Sequence, residues 1–185
     1  VSGSGKDGVE ELLQQSSAYI DQRSIDKKVY PKQIAFNSIP FVDCFLENNY
    51  TREEMKMVWE THKILDENIS VNPTAVRVPV LVGHAESIYI ETEKEIDIEL
   101  AKNCLNEFAW ISVIDDVQEV DFPTSFEHGH GTDDVYVGRI RKGLSKNNSL
   151  NLWVVADNVR KGAALNSIQI AENLVGSEMW DYLYL

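Results

Sequence analysis

Residues 76–91, VRVPVLVGHAESIYIE, decide the fold class. Val76, Val78, Val80, Val82, Ile88 and Ile90 give the β-branched alternation of a strand, and Pro79 and Gly83 interrupt it. Arg77 and His84 are polar residues set among side chains that would otherwise pack in a core. In an uninterrupted strand their Cα atoms would lie roughly 23 Å apart, at about 3.3 Å per residue. Their odd separation would also aim the two side chains at opposite faces. For both to serve one small ligand the chain must bend or bulge between them, and Pro79 and Gly83 are the residues that permit it. The alternative is a strand-edge arginine and a hydrogen-bonded core histidine with no ligand between them.

Upstream, TREEMKMVWETHKILD (51–66) is the best-marked helix. Thr51 and Glu54 fit a capping box, and Met55, Val58, Trp59 and His62 follow the spacing of a buried stripe. Glu53 and Lys56 project from a common face, where they form either a solvated ion pair or a site offering a carboxylate to an ammonium and an ammonium to an anion. His62, on the apolar stripe, reads as structural. Before it, VSGSGK (1–6) is a glycine-rich turn into a helix of the type GVEELLQQS, either a flexible terminus or an anion-accepting helix start. Residues 16–33 are polar and predict a surface excursion, IAFNSIP (34–40) is a short apolar segment, and 41–47 predicts a helical piece ending in a turn at 48–50.

Downstream, 97–109 predicts an amphipathic helix with Ile98, Ala101, Leu105 and Phe108 inward, and 110–114 a strand. DVYVGRIR (134–141) and LNLWVVA (150–156) predict an antiparallel hairpin, followed within 157–175 by a helix with Ala164, Ile168, Ala171 and Val175 at core spacing. Gly162-Ala163-Ala164 at its start is a small-residue surface open to another backbone or a flat ligand. Strands and helices alternate irregularly around a hairpin. That pattern predicts an α+β domain, a mixed β-sheet with helices packed on one face.

The chain's 185 residues suffice for one well-buried domain. A formal net charge of −13 argues against nucleic-acid and anionic-membrane partners, so an anionic ligand would have to be held by a few local cations. Cys44 and Cys104 make no disulfide framework; both read as reduced thiols in amphipathic helices, which suits a cytoplasmic setting. No run has the length of a membrane span or the form of a signal peptide. His128 and His130 lack further ligands at metal-site spacing, and no metal is predicted.

Several stretches taken together carry a resemblance: SGSGK, IAFNSIP, YTREEMKMVWETHKIL, VRVPVLVGHAESIYIE, DDVYVGRIR and LNLWVVADNVRKGAALNSIQIAE. In this order, over nearly the whole chain, they resemble the C-terminal part of the aspartate-semialdehyde dehydrogenase family. The resemblance implies the C-terminal fold shared by semialdehyde and glyceraldehyde-3-phosphate dehydrogenases. It also implies NADPH-dependent reduction of aspartyl phosphate to aspartate semialdehyde, on the route to lysine, threonine and methionine. That chemistry passes through a cysteine thioester and releases phosphate.

Residue by residue, His84 matches the family's acid/base histidine and Arg77 the arginine that clamps the substrate carboxylate. Glu53 matches the residue receiving the substrate amino group, and Lys56 the phosphate-binding residue. Ser2 and Gly3 match a turn contacting the NADP cofactor, and Asn158 a cofactor contact beside the Gly162 turn. The chemistry agrees: a guanidinium suits a carboxylate, an imidazole can take and return a proton, and an ammonium suits a dianionic leaving group.

The family's nucleophilic cysteine and Gly-rich dinucleotide-binding fold lie upstream of the SGSGK-like turn, so the chain reads as a fragment that alone does not reduce aspartyl phosphate. The expected organisation is a catalytic and dimerisation domain over 1–156, forming a homodimer through an open sheet face. A C-terminal helix and tail, 157–185, would pack on a nucleotide-binding domain. The rival readings are an N-acetyl-glutamyl-phosphate reductase, which would not need the Glu53 carboxylate for a blocked amine, and a non-catalytic dimerisation module.

Overall fold

The structure, a computed structural model, describes residues 1–175. The tail expectation for 176–185 lies outside the described residues. The chain forms two compact units, the first comprising Val1 and Gly3–Pro79, the second Ser2 and Val80 onward.

The first unit is built on two helices and long connections. A 3-10 turn, Ser2–Ser4, leads into α1, Gly5–Ile20. The buried face of α1 is Gly8, Glu11, Leu12, Gln15 and Ala18, so a carboxylate and an amide occupy positions where apolar groups would be expected. They have work there. Glu11 accepts backbone N–H groups from Lys28 at 2.9 Å, Val29 at 2.5 Å and Tyr30 at 3.4 Å. Gln15 donates to Glu11 Oε1 and to the Asp26 carbonyl, both at 2.9 Å, and accepts from Ile34 N at 2.8 Å and Ala35 N at 3.2 Å. Ile34 and Ala35 are fully buried. The surface excursion expected over 16–33 holds for most of its residues, which are exposed; its first part continues α1, and the backbone of 28–30 is tied down by buried side-chain acceptors that satisfy donors otherwise left without partners.

The helical piece expected over 41–47 is absent. Asp43 has φ +72°, which no right-handed helix contains, and Phe45 makes an antiparallel bridge with Thr51 across the turn at Asn49. Cys44 is therefore in a connection and half-buried, and Cys104, although helical, is exposed. The second helix, α2, runs Arg52–Ile64 and starts on the predicted capping box. Thr51 Oγ1 accepts from Glu54 N at 3.3 Å, and Glu54 Oε2 accepts from Thr51 N at 2.7 Å. The predicted stripe is only partly inward: Met55, Val58 and His62 are half-buried, whereas Trp59 is exposed. His62 Nε2 donates to the Ile69 carbonyl at 2.8 Å, a structural role.

The second unit is a four-stranded mixed sheet. Its strands are β1, His84–Glu91; β2, Ile111–Val113; β3, Val135–Lys142; and β4, Ser149–Ala156, in spatial order β1-β4-β3-β2. β1 and β3 flank β4 antiparallel, as the hairpin prediction requires of β3 and β4, and β2 joins β3 parallel. Val137, Ile140, Leu150 and Leu152 form the core cluster, against which Ile88, Val154 and the inner face of α3, Ile98–Glu107, are packed. Ile98, Ala101 and Leu105 point inward as expected; Phe108 does not, because it is the extended C-cap of α3 and is 64% exposed. This is the α+β fold class expected, a mixed sheet with helices.

The strand read through 76–91 begins only at His84. Arg77 makes an isolated antiparallel bridge with Ile39 in the first unit, and the intervening residues bend. After β4, a π-type turn over Arg160–Ala164 carries a kink at Ala163, and the regular helix α4 is Leu165–Val175. The predicted inward stripe of this helix is corrected as well. Ala164, Ile168 and Ala171 are exposed, and the residue buried is Gln169, which accepts from Lys161 Nζ at 2.5 Å.

Candidate functional site

In the second unit the site is assembled where three distant pieces of chain meet. β4 ends at Ala156, which pairs with His84, the first residue of β1. Asp157 then turns the chain. Its buried carboxylate accepts from Gly131 N and Val159 N, both at 2.8 Å, and from Arg160 N at 3.1 Å. Burial pushes the Asp157 carboxyl up, but these backbone donors, aided by His130, outweigh it and hold the group below its ordinary value.

Asn158 follows, and its Oδ1 accepts both Ser2 Oγ at 2.6 Å and Gly83 N at 3.0 Å. A backbone N–H can only donate, so the Asn158 oxygen must face Gly83, leaving the Nδ2 donors for other groups. Ser2 N donates to the Leu81 carbonyl at 3.0 Å, and Ser125 Oγ to the His84 carbonyl at 3.3 Å. Gly83 itself has φ +94°, and a Cβ there would stand 3.2 Å from Ser125 Cβ and 3.3 Å from the Ala156 carbonyl. Glycine is required by both the conformation and the crowding. The outcome is a backbone fixed on each side of His84, with the imidazole itself exposed. Gly162 adjoins the same place: its N–H donates to the Asp157 carbonyl at 3.1 Å, and its Cα lies beside Asn158. Gly3 lies in the 3-10 turn after Ser2.

In the first unit Arg77 is held by main chain and by a cation–π contact. Arg77 N donates to the Ile39 carbonyl at 2.8 Å and Ile39 N to the Arg77 carbonyl at 2.9 Å. The guanidinium carbon stands 5.5 Å from the centroid of the Tyr30 ring. Arg23, Arg52 and Arg160 each pair with an aspartate, whereas Arg77 has no carboxylate ion-pair partner among the described residues. Glu53 and Lys56 pair with each other at 3.2 Å on the exposed side of α2. The adjacent Glu54 joins this helix start to the Arg77 segment by accepting Ala75 N at 2.9 Å. Its backbone hydrogen bonds from Thr51 and Ala75 keep its carboxyl below the ordinary value against the opposing effect of burial.

The structure thus joins Ser2, Asn158 and the Gly83–His84 junction within the second unit, and ties the start of the Glu53/Lys56 helix to the Arg77 segment within the first. Asp157, Ser125, Tyr30, Glu11 and Gln15 were absent from the sequence reading. Only Asp157 left a usable signal, an aspartate directly after an apolar strand, where Asx turns form. His128 is engaged locally, accepting Thr124 N at 3.1 Å through Nδ1.

Residues 1–161 match the family model described as "Semialdehyde dehydrogenase, dimerisation domain". The chain belongs to this family. The aspartate-semialdehyde dehydrogenase of Shewanella violacea is 54% identical over 176 residues, covering 95% of this chain and 52% of that protein. The structure of aspartate semialdehyde dehydrogenase II of Vibrio cholerae, complexed with ASA, superposes with a TM-score of 0.89 at 49% identity, over 94% of this chain and 51% of that one. A more distant enzyme, that of Candida albicans with NADP, gives 0.61 at 27% identity over 76% and 44% of the two chains. The semialdehyde dehydrogenase dimerisation-domain chain described here spans about half the length of the curated relatives it matches.

Proposed function

We propose that the chain is the C-terminal catalytic and dimerisation part of an NADP-dependent aspartate-semialdehyde dehydrogenase acting in amino-acid biosynthesis. The observation that carries the reading is the junction of Ser2, Asn158 and Gly83, in which one amide oxygen ties residues assigned to the cofactor to the backbone immediately before His84. His84 is the acid/base group: it takes the proton released when a thiol attacks the acyl phosphate and returns it in the reverse direction. Arg77 receives the α-carboxylate through the in-plane N–H groups of its guanidinium.

Glu53 receives the substrate ammonium and Lys56 the phosphate. These two pair with each other, and an exposed pair of this kind is worth only about 0–1 kcal/mol, so a zwitterionic phosphorylated substrate can separate it at small cost. The Asn158 Nδ2 donors and the exposed, small Gly162–Ala164 surface suit a flat carboxamide-bearing ring such as nicotinamide, and Ser2 adjoins them. That cofactor supplies the hydride.

The seven exposed residues of the eight in β1, with Tyr89 at 48% exposure, suit a surface covered by a second copy of the chain. The exposed apolar side chains of α4, Ile168, Ile170 and Leu174, suit packing on a separate nucleotide-binding domain. Neither Cys44 nor Cys104 serves as nucleophile in this reading, and residues 1–185 alone do not oxidise NADPH in the presence of aspartyl phosphate; turnover by the purified chain would refute that assignment. Substrate identity is tested in a full-length enzyme carrying these residues, offered aspartyl phosphate and N-acetylglutamyl phosphate in competition. Consumption of aspartyl phosphate is expected, and preference for the acetylated substrate would overturn the reading of Glu53.

A further inference from the structure

We propose that Tyr30 is the positioning residue for Arg77: its ring is the platform that holds the guanidinium ready for a substrate carboxylate. The proposal rests on the reading of Arg77 given above. The backbone of Arg77 is fixed in both directions by Ile39, but a long, multiply rotatable side chain extends beyond that anchor and loses freedom when it binds. A ring 5.5 Å from the guanidinium carbon removes part of that freedom in advance. A cation–π contact holds the guanidinium through its charge and takes up no N–H group, whereas bidentate carboxylate binding uses those N–H groups, so platform and substrate do not compete.

The platform is itself rigidly mounted. Tyr30 is 6% exposed, and its backbone N–H, with those of Lys28 and Val29, is held by Glu11. At its far end the ring enters a notch over α1, where a Cβ on Gly8 would come 2.4 Å from Tyr30 Oη. That hydroxyl is buried and has no hydrogen-bond partner among the described residues. The ring is the part of the side chain that meets Arg77. Glu11 and Gln15, two polar residues on the buried side of a helix, acquire a role by the same reasoning: they hold the segment that carries the ring.

The test is steady-state kinetics of a full-length enzyme carrying these residues, with aspartate semialdehyde as varied substrate. Tyr30→Leu is expected to raise KM about three- to tenfold with kcat within about twofold of the parent, and Tyr30→Phe to restore the parent KM. Tyr30→Met, which fills the volume without a π face, gives the same reading should Tyr30→Leu not fold. In an Arg77→Ala background the Tyr30 substitution should add nothing further to KM. A loss of kcat with unchanged KM, or an undiminished effect in the Arg77→Ala background, would show a packing role and overturn the proposal. If Arg77→Ala alone leaves KM unchanged, the assignment of Arg77 itself fails, and the platform with it.

Discussion

The residues before Pro79 and those after Gly83 have the same apolar alternation and are held in different ways. Val76 and Val78 are 44% and 39% exposed, and Arg77 between them makes one isolated bridge. Beyond Gly83, β1 pairs with β4 over its full eight residues, and Ile88 packs against the core cluster. Alternation of β-branched residues therefore permits a strand without making one; a partner strand and an apolar layer beneath it complete the definition. The first unit, lacking a sheet, fixes its connections with buried polar side chains, while the second relies on register and apolar packing.

Substitutions can break this contrast. Leu152→Ala, which opens the core cluster under β4, is expected to cost about 3 kcal/mol in chemical denaturation of a full-length enzyme carrying these residues. Glu11→Leu keeps the volume roughly constant but strands three backbone donors and Gln15, and roughly 2 kcal/mol is expected in the same assay. An effect of Glu11→Leu below about 0.5 kcal/mol would mean that apolar contacts, and not the polar clamp, hold residues 28–35. Thr51→Ala removes the helix cap and is expected to cost about 1 kcal/mol, with a larger share lost if the bond from Ala75 to Glu54 fails with it.

The smallest effect sharpens the comparison by pH. The Asp157 carboxyl lies below its ordinary 3.8 in the folded chain, so its contribution is complete above that value and is lost as the pH falls through the lower folded value. Acid titration of Asp157→Asn should accordingly show a shallower loss of stability below about pH 4 than the parent. An unchanged acid limb would remove the backbone N–H groups of Gly131, Val159 and Arg160 as stabilisers of the carboxylate.

Much of the second unit is legible in the sequence because its elements have strong local signals. The β3/β4 hairpin and α3 follow from alternation and spacing. In the first unit the capping box at Thr51 and Glu54 is equally plain. The clamp by Glu11 and Gln15 is not, since hydrophobic periodicity treats both as solvent-facing and the donors they satisfy lie 17 to 20 positions away. The inward stripes assigned to Trp59 and to α4 fail for a related reason: spacing gives the face of a helix but not whether anything within the described residues covers it. Among the candidate residues, type and setting single out His84 and Arg77 and the family resemblance adds Asn158, while the parts played by Ser125 next to His84, and by Tyr30 and Glu11 next to Arg77, become visible only once distant segments are brought together.

The claim on which the account depends is that His84, set on a backbone fixed by Asn158 and Ser125, transfers the proton in catalysis. Its most direct test is kcat for the phosphate-dependent oxidation of aspartate semialdehyde by the His84→Asn variant of a full-length enzyme carrying these residues. The account predicts a fall in kcat of about 10²-fold or more with KM little changed; a kcat equal to that of the parent would contradict it.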